Sequence, residues 1–254
     1  MKRLTNCLFV GMICFLFIGE AHALTFTIDY SNMLVGGEIN GAVLEPSPVT
    51  ADVATDLVGT LEVTCDNFDA PTTLQITSGN IDVLPNLADG PFRPGIGGTD
   101  SAAPGDFAFQ ANPNELIELA LRDIQFELSS DSLTVSGNEM FSANLIEFEV
   151  DNGALDMRSP SMGGNGYDLA GLMCNPTGDE LGTLLKLDPN GDIYQLSFIY
   201  ERTIDISGLD SSIAAGSYLS LQGTITAQTE AVPEPSSLIM LCLGATVFLV
   251  RRRS

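Results

Sequence analysis

Short runs of β-forming residues, with no long helical pattern between them, fill most of this 254-residue chain. The runs are rich in Val, Ile, Thr, Phe and Tyr, and turn-forming Gly, Asn, Asp, Pro and Ser separate them. They are Leu24–Tyr30, Leu57–Cys65, Thr73–Thr77, Ile124–Leu128, Leu145–Val150, Thr183–Leu187, Ile193–Tyr200, Thr203–Ile206 and Tyr218–Ala227. Many short strands with this punctuation predict an all-β, antiparallel β-sandwich, for which a jelly roll is one arrangement.

Three sequences between these runs predict turns. Ser-Gly-Asn occurs at 78–80 and again at 136–138, and residues 188–192 have the composition of a hairpin loop. The segment Pro113–Leu121 stays open between helix and strand. Asn112 could cap a helix there, whereas the apolar residues at 117, 119 and 121 alternate as in a strand.

The N-terminus has the three parts of a secretory signal peptide. Lys2 and Arg3 are followed by an apolar run over 8–18, and Ala21 and Ala23 flank a single residue as at a cleavage site. The pattern predicts a signal peptide over residues 1–23, cut after Ala23. The expected partners are therefore the export machinery and a signal peptidase.

The C-terminal segment, residues 231–254, has a second ordered pattern. It contains Pro233, Glu234 and Pro235, then an apolar run over 238–250, and then Arg251, Arg252 and Arg253. Thirteen helical residues would span about 20 Å, which is short for a membrane core of about 30 Å. Adjacent arginines resist translocation, so the run predicts a short transmembrane helix that anchors the chain transiently.

This ordered pattern resembles the PEP-CTERM sorting signal of Gram-negative bacteria. The resemblance implies that a membrane-embedded, exosortase-like enzyme reads and cuts the tail. It also implies an exported protein, and many such proteins come from species that make extracellular polysaccharide, which is a further expected partner. The resemblance covers about the last tenth of the chain and assigns no role to the body, residues 24–230.

The charge of the body excludes one class of function. Residues 24–232 contain five basic and 31 acidic residues, a net charge of −26. Binding to nucleic acid needs clustered Lys and Arg to neutralise phosphates, so we expect no nucleic-acid partner.

The residue types available for catalysis are few, and we expect no enzyme. The single histidine, His22, lies in the predicted signal peptide, which removes Ser-His-Asp and Cys-His sites. Lys186 lies in a strand pattern, where an outward lysine is ordinary. Carboxylate pairs could cleave glycosides, but so many acids make that signal unspecific.

Two further features concern cross-links and metals. Cys65 and Cys174 are the only cysteines between the two terminal segments, and an even pair in an exported protein predicts a disulfide. Asp188, Asn190 and Asp192 have the spacing that opens a calcium loop. They are weak candidates, because the expected glycine and glutamate positions are both isoleucine. A hairpin turn without metal is the preferred interpretation, and we expect no cofactor, although calcium bound by distant loops stays open.

Together these features predict an exported, non-catalytic protein of the cell envelope or extracellular matrix. An exosortase-like enzyme would process its tail after transient anchoring in the inner membrane. The alternative is a carbohydrate- or calcium-binding adhesion module.

Overall fold

The computed structural model describes residues 23–46, 54–84, 107–160, 163–189 and 191–229. Within these ranges the chain is almost entirely β-strand, with one turn of 3-10 helix, η1, at Ala143–Leu145. The sixteen strands are β1 Ala23–Ile39, β2 Ala42–Val43, β3 Glu45–Pro46, β4 Ala54–Thr55, β5 Leu57–Cys65, β6 Thr73–Val83, β7 Phe107–Ala111, β8 Ile117–Ser130, β9 Leu133–Thr134, β10 Met140–Ser142, β11 Ile146–Ser159, β12 Gly163–Asp168, β13 Cys174–Pro176, β14 Leu181–Lys186, β15 Tyr194–Asp205 and β16 Tyr218–Thr229.

These strands form one continuous antiparallel sheet. Its main order is β10-β14-β15-β16-β1-β5-β6-β8-β11-β12. The sheet folds over on itself, as a contact between two strands far apart in this order shows: Phe148 of β11 packs edge-on against Phe198 of β15, with ring centroids 6.3 Å apart. The predicted all-β, antiparallel class is therefore confirmed, and the contact between distant strands gives the body a sandwich-like core.

The turn signals were confirmed in part. Residues 136–138 form a turn, with the amide of Glu139 donating to the carbonyl of Ser136 at 2.9 Å. The turn predicted at 78–80 was wrong, because these residues lie within β6. Gly79 packs between two strands there, and a Cβ added to it would lie 2.5 Å from Leu61 Cδ2 and 3.0 Å from Leu128 Cβ. The glycine allows a close approach inside a sheet, which a local turn pattern cannot distinguish from a loop.

The structure also decides the conformation of the ambiguous segment at 113–121 and of the predicted hairpin loop at 188–192. β8 begins at Ile117, so the alternating residues of the ambiguous segment Pro113–Leu121 belong to a strand and not to a helix. The predicted loop at 188–192 does join two paired strands, with Lys186 opposite Tyr194. Asn190 within that loop lies outside the described residues.

The core between the folded-over parts of the sheet is filled. A cavity within it, in the described part of the chain, measures only about 10 Å³ and is lined by apolar side chains, among them Met33, Phe126 and Ile204. A cavity of this size is at the lower limit for one water molecule. No part of the described chain forms a helix long and apolar enough to cross a membrane. The helix predicted over 238–250 and the signal peptide, apart from Ala23 at the start of β1, lie outside the described residues.

Candidate functional site

A polar groove lies on the outer face of β1, β15 and β16. Its cavity volume is about 280 Å³. The loop between β13 and β14 forms one wall, and outward-facing side chains of the three strands form the floor. The groove is lined by Asn32, Leu34, Gly178, Asp179, Glu180, Ile199, Tyr200, Glu201, Gln222, Gly223 and Thr224.

Hydrogen bonds hold the loop wall in place. The amide of Thr177 donates to the carbonyl of Glu201 at 2.9 Å, which ties the loop to β15. Asn144 of η1 supports the other side of the loop: its Nδ2 donates to the carbonyl of Gly178 at 2.7 Å, and its Oδ1 accepts from the amide of Glu180 at 2.5 Å. The wall is therefore fixed by η1 as well as by the neighbouring strand.

A buried ion pair lies beneath this wall. Arg202 Nη2 and Glu180 Oε2 are 2.5 Å apart, and their side chains are 1% and 2% exposed. The other carboxylate oxygen of Glu180 accepts from the amide of Glu201 at 2.7 Å. Glu180, a residue of the loop wall, is thereby bound both to the backbone of β15 and to the buried guanidinium of Arg202.

Arg202 also joins three parts of the backbone. Its guanidinium donates to the carbonyls of Ile146 at 2.8 Å, Cys174 at 3.3 Å and Ala143 at 2.9 Å. Its Cζ atom lies 4.5 Å from the centroid of the Phe148 ring. The residue therefore fastens η1, β11 and β13 to β15 at the place where the sheet folds over.

The floor of the groove combines apolar and polar groups. Ile199 is 50% exposed there. Tyr200 is buried beneath it and donates its hydroxyl to the carbonyl of Asn32 at 3.2 Å. The Oδ1 of Asn32 accepts from the amide of Thr224 at 2.9 Å, which fixes the orientation of that side chain. The Nδ2 atom of Asn32 donates no hydrogen bond to the described part of the chain.

Of the three carboxylates that line the groove, only Glu180 pairs with a basic residue within the described ranges. The four basic side chains there pair with acids: Arg122 with Asp156, Arg158 with Glu118, Lys186 with Asp69, and Arg202 with Glu180. Asp179 and Glu201 are in none of these pairs. The groove is therefore negatively charged and has hydrogen-bonding groups that the protein itself does not use.

The predicted disulfide is not formed in this structure. Cys65 and Cys174 are both free and buried, on β5 and β13 respectively. Burial raises the pKa of each thiol from 9.0 to about 12. An even cysteine count and an exported destination predicted the bridge, but neither supplies the distance between the two strands.

The calcium candidates lie on the hairpin between β14 and β15. Asp188 and Asp192 are in the described part of this loop and Asn190 is not. The described ranges bring together no group of three or more His, Cys, Asp or Glu side chains that could hold a metal ion. Lys186, at the same hairpin, lies 2.5 Å from Asp69 Oδ1 and 5.6 Å above the ring of Tyr194. The lysine thus links this hairpin to the loop after β5.

Sequence reasoning missed the groove and the Arg202–Glu180 pair. One signal for the pair was present, since residues 198, 200, 202 and 204 of β15 alternate as Phe, Tyr, Arg and Ile. Arg202 therefore occupies a core-facing position, and a core-facing arginine requires a buried acidic partner. No comparable signal marks the groove, because its residues come from four separate parts of the chain.

The comparisons with known proteins concern the tail. Residues 231–253 match the family described as the PEP-CTERM protein-sorting motif. The match indicates an exported chain, recognised by an exosortase-like membrane enzyme and destined for the cell envelope or the exterior. The sorting residues Pro233, Glu234, Pro235 and Arg251, Arg252, Arg253 fall within the matched range, which lies outside the described residues. No curated protein and no solved structure matches the chain.

Proposed function

We propose that the chain is a non-catalytic structural protein of the cell envelope or extracellular matrix, released from its tail by an exosortase-like enzyme. The observation that carries the proposal is the sorting motif at 231–253, joined to an acidic, all-β body. The body's sandwich-like core is filled with apolar side chains, as suits a stable spacer or adhesive domain. Its high negative charge favours solubility and discourages self-association after export.

Processing of the tail can be tested directly in a host that carries an exosortase. Glu234→Ala, or Ser in place of Arg251, Arg252 and Arg253, should block cleavage, so that intact-mass measurement finds the tail retained. Glu230→Ala is the matched control, because it removes the same kind of side chain just outside the motif. The proposal is wrong if both tail variants have the same mature C-terminus as the unaltered protein.

A carbohydrate-binding adhesion module is the second candidate function. The observation that favours it is the polar groove, in which amide, hydroxyl and carboxylate side chains surround an exposed isoleucine. Sugars present hydroxyl groups on their edges and C–H groups on their faces, which suits such a lining. The full chain should co-sediment with insoluble extracellular polysaccharide from its host. If all of the chain stays in the supernatant, this function is excluded for that polysaccharide.

A further inference from the structure

The groove has the composition of a small polar binding site. Its volume of about 280 Å³ is near the lower end of small-molecule sites, about 300 Å³, and suits one or two sugar rings. Gln222 and Thr224 supply hydrogen-bond donors and acceptors, and the Nδ2 of Asn32 supplies another donor. The exposed side chain of Ile199 offers an apolar surface among them.

The negative charge of the groove indicates which class of ligand it would bind. Asp179 and Glu201 line the groove without a basic partner in the described ranges, and a third acid, Glu180, is already paired with Arg202. An anionic sugar would place like charges together in the groove. A neutral sugar would leave the two carboxylates uncompensated, whereas a protonated amine would form charge-assisted hydrogen bonds with them.

We propose that this groove binds a positively charged amino sugar, as found in a glycan whose N-acetyl groups have been removed. Asp179 and Glu201 receive the ammonium group, while Asn32, Gln222 and Thr224 bind ring hydroxyls. The inference rests on the second proposed function, the adhesion module, and is independent of how the tail is processed.

The test is calorimetric titration of the full-length chain, in mild detergent, with a glucosamine tetramer at a pH where its amines are protonated. The N-acetylated tetramer, a neutral glucose tetramer and a tetramer of galacturonic acid are the comparison ligands. We expect the glucosamine tetramer to bind at least tenfold more tightly than any of these. The same salt concentration is used throughout, because screening weakens all charged pairs.

Two variants separate the groove from general attraction to an acidic surface. Glu201→Gln removes one negative charge inside the groove and preserves the shape of the side chain. Glu127→Gln removes one negative charge from an exposed position on β8, where Glu127 lies directly opposite Glu149 of β11. We expect Glu201→Gln to weaken binding about tenfold, as Asp179→Asn should, and Glu127→Gln to change it less than twofold.

Three results would overturn the inference. Equal losses in Glu201→Gln and Glu127→Gln would mean that the tetramer senses only the overall charge. Equal binding of a neutral or acidic tetramer would show that the carboxylates select nothing. Absence of heat with the glucosamine tetramer at millimolar concentration would exclude the site. Co-sedimentation with host polysaccharide would still be measurable in each case, so the adhesion function could survive the loss of its proposed ligand.

Discussion

Replacing Arg202 by methionine should strongly destabilise the folded protein. Methionine keeps much of the apolar stem but removes the guanidinium, so the carboxylate of Glu180 stays buried without its counter-ion. The carbonyls of Ala143, Ile146 and Cys174 each lose one hydrogen-bond donor in the same change. Removing one partner of a buried ion pair costs about 3–5 kcal/mol, which is a large fraction of a typical stability of about 5–15 kcal/mol.

The assay is urea unfolding at neutral pH, with the free energy of unfolding taken by linear extrapolation. Arg158→Met is the matched control, because Arg158 pairs with Glu118 at 2.6 Å but the two side chains are 33% and 32% exposed. A pair so accessible to water contributes only about 0–1 kcal/mol. The contrast between the two variants therefore measures the effect of burial on one type of ion pair.

A double variant isolates the interaction itself. In Arg202→Met with Glu180→Gln no uncompensated charge remains, so the double variant should be more stable than the sum of the two single losses predicts. Coupling between groups in direct contact is about 0.5–3 kcal/mol. A loss of stability in Arg202→Met no larger than in Arg158→Met, or two single losses that simply add, would refute the expected effect of burial on this ion pair.

Two further predictions concern groups with shifted pKa values. Burial raises the pKa of the Cys65 and Cys174 thiols to about 12, so iodoacetamide at mildly alkaline pH should modify neither in the folded protein and both in urea without reductant. Failure to modify them in urea would reveal the disulfide that the sequence predicts. Because the folded state holds these protons more tightly, the thiols' contribution to stability is complete below pH 9.0 and is lost as the pH rises towards 12. The hydroxyl of Thr72 and the amides of Thr73 and Thr72 lower the pKa of the Asp66 carboxyl below its ordinary 3.8. That contribution is present above pH 3.8 and is lost as the pH falls, so the difference in melting temperature between the native chain and Thr72→Val should shrink on acidification. A difference that stays constant down to strongly acidic pH would contradict this assignment.

The local pattern of the sequence was sufficient for the strands and for the tail. Alternation placed Leu24–Tyr30 within β1 and Ile193–Tyr200 across most of β15, because side chains on a strand point to opposite faces at every second residue. The sorting motif at 231–253 was equally predictable, since the whole signal consists of consecutive residues.

Tertiary structure alone decided which strands are neighbours and what they bring together. β1 lies between β5 and β16 in the sheet. Its pairing with β16 places Asn32 beside Thr224 in the groove, although these two residues are 192 positions apart along the chain. Gly79 lies in a sequence typical of a turn, and only the strands packed against it show that it belongs to the interior of a sheet. Cys65 and Cys174 fit the pattern of a disulfide, and only the folded structure shows both as free thiols. Alternation states which face of a strand is buried, but it contains no information about the strand that will cover that face. Packing and hydrogen bonding over the whole sheet determine which strand that is, so the neighbouring strand is known only from the folded structure.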